Sequence, residues 1–119
     1  MKLIIAGSRG FEDILLMKIK MQTFTDENGG HPSEVISGAA DGADTLGTQW
    51  AKLHDIPVRF FHPNWDEYGK SAGYRRNEEM ANQATHLIAF HDGESRGTRH
   101  MIDIARRKEL VVKVVNYNA

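Results

Sequence analysis

Leu3-Ile4-Ile5-Ala6-Gly7-Ser8-Arg9-Gly10 is the stretch that decides the fold class. Four apolar residues follow one another without alternation, and a turn with two glycines stops them. An unbroken apolar run suits a strand buried on both faces, as in a parallel sheet, rather than one with a wet side. Met1 to Ala6 is too short and too soon interrupted for a signal peptide or a membrane span, so it reads as the first strand.

Outward from this strand the same unit repeats. Ile14, Leu15, Met17, Ile19, Met21 and Phe24 recur mostly at helical spacing between Glu12 and Phe24, and Asn28-Gly29-Gly30-His31-Pro32 breaks the chain. Glu34 to Ser37 reads as a strand, Gly38 to Asp41 as a turn, and Gly42 to His54 as a helix with Ala43, Leu46, Trp50, Ala51 and Leu53 available to the sheet. Pro57 to Phe61 supplies a third strand. His62 to Gly73 reads as a polar, aromatic loop longer than the usual strand-to-helix connection. Tyr74 to Gln83 is a helix, His86 to Phe90 a strand, His91 to Arg96 a second polar loop, Gly97 to Lys108 a helix, and Leu110 to Val115 a last β-branched strand.

Strands alternating with helices through right-handed crossovers give an α/β, Rossmann-like, doubly wound parallel sheet of about five strands with helices on both faces. With 119 residues the whole chain is expected to form one domain. Ligands of such sheets bind beyond the carboxyl ends of the strands, where strand order reverses. On an assumed order of 3-2-1-4-5, Gly7 to Phe11 and His91 to Thr98 face one crevice.

Composition narrows the function classes. The chain is 40% hydrophobic and 26% charged with a formal net charge of −1, an ordinary composition with no basic excess to nominate a nucleic-acid partner. It has no cysteine, which removes disulfides, thiolate metal sites and cysteine nucleophiles. A reducing, cytoplasmic setting without membrane attachment is the expectation. The six histidines have no ligand spacing such as HExxH, so no metal is expected. His91, in the crevice loop, reads as a surface residue before an acid or base.

Three turns carry anion-binding chemistry. A phosphate loop needs small residues that let amides approach, followed by a helix whose amino terminus bears partial positive charge. Gly7-Ser8-Arg9-Gly10 adds a hydroxyl and a guanidinium able to hold an oxyanion with two bonds. Ser37 to Asp44 opens the second helix, with Asp44 near its start and Asp41 placed either to accept a ribose hydroxyl or to cap the helix. Ser95-Arg96-Gly97-Thr98 opens the last helix with two hydroxyls. None of the three is a Walker or GxGxxG motif; their recurrence after three strands is the signal. In the stretch Trp65 to Asn77, Trp65 is read as packing before stacking, and Arg76 as a site residue.

Taken together, Ile5-Ala6-Gly7-Ser8-Arg9 with Phe11, Ser37-Gly38, Asp41-Gly42-Ala43-Asp44, Asn64-Trp65, Gly69-Lys70, Ala72-Gly73, Arg76-Asn77 with Met80, and Asp92-Gly93 with Ser95 to Thr98 resemble the YspA/YpsA-related branch of the SLOG superfamily. Its relatives include the LOG phosphoribohydrolases and the DprA/Smf proteins. The resemblance runs nearly the whole chain and implies a site for a nucleotide or a nucleotide-derived signal of the NAD or ADP-ribose type. Arg76-Asn77-Glu78-Glu79-Met80 is similar to the RKxxM-like segment of the LOG enzymes, and Gly93 to Thr98 to their PGGxGTxxE motif. Met101 stands where that motif has its glutamate, and a thioether can neither stabilise an oxocarbenium-like centre nor act as a base.

The expected ligand-binding set is therefore Gly7, Ser8, Arg9, Phe11, Gly38, Asp41, Gly42, Asp44, Arg76, Asn77, Gly93, Ser95, Gly97 and Thr98. The expected role is a binding or sensing module for a nucleotide-type small molecule. A LOG-type hydrolase with Arg76 and Glu94 as its candidate residues is the alternative. A DNA-processing accessory is a third reading, weakened by the near-neutral charge although Arg75, Arg76, Arg99, Arg106 and Arg107 offer a local basic patch. Self-association of unstated copy number is left open.

Overall fold

The computed structural model describes residues 1–118. Strands β1 (Lys2–Gly7), β2 (Glu34–Ser37), β3 (Val58–Phe60), β4 (His86–His91) and β5 (Val111–Asn116) form one sheet in the order β3-β2-β1-β4-β5. Every neighbouring pair is parallel, with Ile4 opposite Ile36 on one side and Leu87 on the other. This is the doubly wound arrangement, and its order reverses between β1 and β4.

The unbroken apolar strands are explained by burial on both faces. Leu3 and Ile5 of β1, with Ile88 and Phe90 of β4, pack under helices α1 (Ile14–Glu27) and α2 (Ala43–Leu53). Ile4 and Ala6, with Leu87 and Ala89, pack under α4 (Ala72–Gln83) and α5 (Arg96–Arg107). Leu3, Ile4, Leu87 and Ile88 are fully buried, and each such side chain contributes about 1.5–3 kcal/mol relative to exposure. The central strands thus anchor the loops that follow them.

Helix α1 starts two residues later than its apolar pattern suggests, because Asp13 caps it by accepting from the Leu16 amide at 3.0 Å. Its buried face is Met17, Met21 and Phe24, at i, i+4 and i+7, and leaves Leu15 and Ile19 in solvent. Leu53, counted among the sheet-facing positions of α2, is likewise exposed at its last turn.

The stretch after β3 is more ordered than a loop. Asn64 caps a single helical turn, α3 (Trp65–Tyr68), by accepting from the Glu67 amide at 3.1 Å. A 3-10 turn over Gly69–Ser71 then leads directly into α4, which begins at Ala72 rather than Tyr74. The Arg75 guanidinium lies 4.2 Å from the centre of the Tyr68 ring and donates to the Ser71 hydroxyl at 3.1 Å, tying the turn to the helix. Trp65 does not pack into the core as expected; it is 53% exposed.

No helix among the described residues is long and apolar enough to cross a membrane.

Candidate functional site

The carboxyl ends of β1, β2 and β4 bring the three turns together, and the contacts between the turns explain most of their small residues. Gly42 has φ +74°, and a Cβ there would sit 2.4 Å from the carbonyl oxygens of Ser8 and Arg9. The first and second turns therefore touch through backbone that only glycine permits. The first and third turns are joined by Ser8, which is buried and whose hydroxyl accepts from the Asp92 amide at 3.0 Å. Ser8 is a strut between loops.

Asp92 organises the third turn. One carboxylate oxygen accepts from the amides of Glu94 and Ser95, both at 2.8 Å, and these bonds hold its pKa below the ordinary carboxylate range. Ser95 then caps α5, its hydroxyl bonded to the Thr98 amide at 3.3 Å and to the Thr98 hydroxyl at 2.9 Å. Arg96 and Gly97 lie in the first turn of α5, where amides have no intrahelical acceptor and the helix dipole is positive. A Cβ on Gly97 would meet nothing within 4 Å, so the approach to this terminus is open.

Between these turns lies a crevice of about 100 Å³ lined by Gly7, Arg9, Ala40, Asp44, Arg76, Asn77, Ser95, Gly97 and Thr98, with Ala6, Met80 and Met101. Arg76 reaches it from the second turn of α4. Its guanidinium donates to the Gly38 carbonyl and, at 3.0 Å, to the Asn77 carboxamide oxygen. Asn77 in turn contacts His100 Nδ1 at 3.1 Å. Gly38 is required by this packing: a Cβ would lie 2.8 Å from Arg76 Nη1 and 3.0 Å from Asp44 Oδ2.

Asp44 is the buried carboxyl of the site. Burial pushes its pKa up from 3.8 to about 6, against the opposing pull of the Ala40 amide, which donates to Oδ2 at 3.2 Å, and of the charges of Arg76 and Arg9. Arg76 has its pKa lowered, first by burial and then by Arg9, with Asp44 acting in the other direction. Two guanidiniums thus disfavour one another over a crevice that also receives a helix amino terminus, an arrangement suited to an anion.

Several expected site residues stand elsewhere. Phe11 lies in the core, its ring 4.8 Å from those of Phe90 and Tyr117, so its contribution is to packing beneath the loop. Asp41 and Glu94 are exposed, and neither they nor Gly93 line the crevice. His91, at the end of β4, is buried and borders a separate cleft between α5 and β5 with Arg99 and Arg106. Met101, buried at the crevice floor, carries no group for acid–base chemistry. Two further hollows adjoin the crevice and were not foreseen. One, of about 350 Å³, runs between Arg9, Arg76, His62 and Trp65; the other, of about 460 Å³, lies between α2 and the end of β3. Among the described residues no three His, Asp or Glu side chains gather to hold a metal ion.

The chain is 29% identical to the Gene 61 protein of Mycobacterium phage D29 over 124 aligned positions, spanning 98% of this chain and 95% of that protein. No solved structure gives a significant match. Residues 1–68, which hold β1, β2, α2, β3 and the first two turns of the crevice, match the profile of the YspA, cpYpsA-related SLOG family. With more than half its length matched, and with an all-parallel Rossmann-like sheet behind the match, the chain belongs to the YspA, cpYpsA-related SLOG family.

Proposed function

We propose that the protein binds a nucleotide or nucleotide-derived ligand, of the ADP-ribose or NAD type, as a sensing or binding module, with a phosphate held in the crevice between β1 and β4. The observation that carries this reading is the convergence of Arg9, Arg76 and the amino terminus of α5 on one hollow at the point where strand order reverses. The guanidiniums supply charge-assisted bonds, the Gly97 amide an axial donor, and Ser95 a hydroxyl. Ser8, Gly42, Asp92 and Thr98 keep the three turns in register. SLOG membership supports a nucleotide-related ligand.

A thermal-shift screen against nucleotides, NAD, ADP-ribose and cyclic nucleotides tests it. A ligand at 100 times its Kd adds roughly 2.7 kcal/mol to folded-state stability. The stabilisation is expected to disappear in Arg9→Ala and Arg76→Ala. No response to any member of the panel would refute the reading.

A second reading, hydrolysis of such a ligand, draws on Asp44: a carboxyl in the crevice with a pKa near 6 is placed to exchange a proton near neutrality. Chromatography after incubation with nucleoside phosphates and ADP-ribose decides it, with product formed by the wild type and none by Asp44→Asn. Absence of product from the wild type dismisses it.

A further inference from the structure

The phosphate crevice, at about 100 Å³, is smaller than the roughly 300–1,000 Å³ of sites that enclose a small organic ligand. The rest of any nucleotide must lie in one of its neighbours. The cleft between α2 and β3, about 460 Å³, adjoins the crevice and shares Ala40 and Asp44 with it. Its remaining walls are unlike a surplus gap between elements.

One wall is aromatic. Phe60, at the carboxyl end of edge strand β3, is 46% exposed, and its ring lies 6.2 Å from that of His62 with 25° between the planes. The two rings are roughly parallel, and both residues line the cleft. The opposite wall is one side of α2, with Asp44 and Thr48 four residues apart and Thr45, Gln49 and Lys52 at i, i+4 and i+7. Two of its polar groups are already committed: the Thr45 hydroxyl donates to the Ala40 carbonyl and that of Thr48 to the Asp44 carbonyl, each at 3.0 Å. Gln49 has no such bond among the described residues and keeps both an acceptor and a donor for a ligand. Asp44 stands at the junction, with Oδ2 bonded to the Ala40 amide and lone pairs remaining for a hydroxyl.

We propose that this cleft is a nucleoside subsite: the base lies against Phe60 and His62, Gln49 meets its polar edge, and Asp44 accepts from a ribose hydroxyl while the 5′-phosphate occupies the crevice. The inference rests on the phosphate reading above and adds the place of the nucleoside, which sets a nucleoside phosphate apart from a simple sugar phosphate. The groove beside Trp65 is the rival position for the base. It offers an exposed indole, but its other walls are Arg9, Arg76, His62, Pro63 and the Gly38–Ala40 backbone, with no carboxylate for the ribose and no carboxamide for the base edge.

The test is a ¹⁵N-edited NMR titration with AMP and with ribose 5-phosphate, which differ only by the base, on the wild type and on Phe60→Ala, Gln49→Ala and Trp65→Ala. All three substituted side chains are exposed, so the variants fold. AMP is expected to bind about tenfold or more tighter than ribose 5-phosphate, because stacking on an aromatic face favours any base. Phe60→Ala and Gln49→Ala are expected each to shrink that preference by about threefold or more, and Trp65→Ala to retain it. Equal affinity for the two ligands would leave the phosphate site standing and overturn the nucleoside subsite. So would a preference that survives in Phe60→Ala and Gln49→Ala and is lost in Trp65→Ala. Binding of neither ligand would instead bring down the phosphate reading, and this one with it.

Discussion

Replacing Asp44 with asparagine removes a carboxyl whose pKa is raised by burial from 3.8 to about 6, and the consequence for stability has a definite sign. The folded state favours the protonated acid, so the unfolded chain releases this proton more readily. The stability Asp44 confers is full below its unfolded pKa of about 4 and is lost as pH rises through about 6. At about 1.4 kcal/mol per pH unit, the two limits differ by about 3 kcal/mol. Between pH 4.5 and 7.5, part of the transition is already complete at the acid end, and about 2 kcal/mol remains to be seen. Asparagine keeps an oxygen for the Ala40 amide but cannot ionise. Urea unfolding of both proteins at the two pH values isolates the effect, because the titrations of all other groups cancel in the double difference. Asp44→Asn is expected to gain about 2 kcal/mol relative to wild type on going from pH 4.5 to 7.5. A double difference near zero, or of opposite sign, would mean that Arg76 and Arg9 outweigh burial and that Asp44 is an ordinary ionised partner of the arginines.

Three other substitutions separate scaffold from site. Gly38→Ala places a methyl 2.8 Å from Arg76 Nη1 and 3.0 Å from Asp44 Oδ2, so calorimetric titration with the best nucleotide found by screening should show about a tenfold loss of affinity, near 1.4 kcal/mol. An unchanged affinity would remove Arg76 from the ligand. Phe11→Ala empties a core position and should cost about 3–5 kcal/mol in urea unfolding while the folded protein binds as before; a selective loss of binding would return Phe11 to the site. Asp92→Ala frees the amides of Glu94 and Ser95 and should lower the melting temperature at neutral pH. Because the folded pKa of Asp92 is depressed, that deficit should fade as pH falls below the ordinary carboxylate value; a deficit constant down to acid would point to lost packing instead.

Much of the fold was legible because β1 and β4 are apolar without alternation, a pattern that only burial on both faces accounts for. The assumed strand order matches the observed one, and with it the convergence of the first and third turns. Less legible was the division of labour inside those turns. A glycine that opens space for a ligand and one that opens space for a neighbouring loop look alike in a sequence; Gly97 faces open space, whereas Gly42 is packed against the Ser8 and Arg9 carbonyls. Phe11 follows the glycine turn as a lid residue would, yet its ring turns inward onto Phe90. Asp41 and Asp44 are equally suited to a ribose on paper, and only the path of the chain buries Asp44 and exposes Asp41. The helical turn at Trp65 did carry a signal, since Asn64 and Glu67 have the spacing of a capping box. The α2–β3 cleft left none, because it joins residues on a helix face to residues at a strand end, and nothing local in the sequence links them.

A crystal structure of the protein grown with AMP would show whether phosphate occupies the crevice between β1 and β4. Phosphate oxygens are expected within hydrogen-bonding distance of the Arg9 and Arg76 guanidiniums and of the Gly97 amide. Well-ordered AMP lying elsewhere, as in the cleft between α5 and β5 beside Arg99 and Arg106, with the crevice holding no phosphate, would contradict this placement.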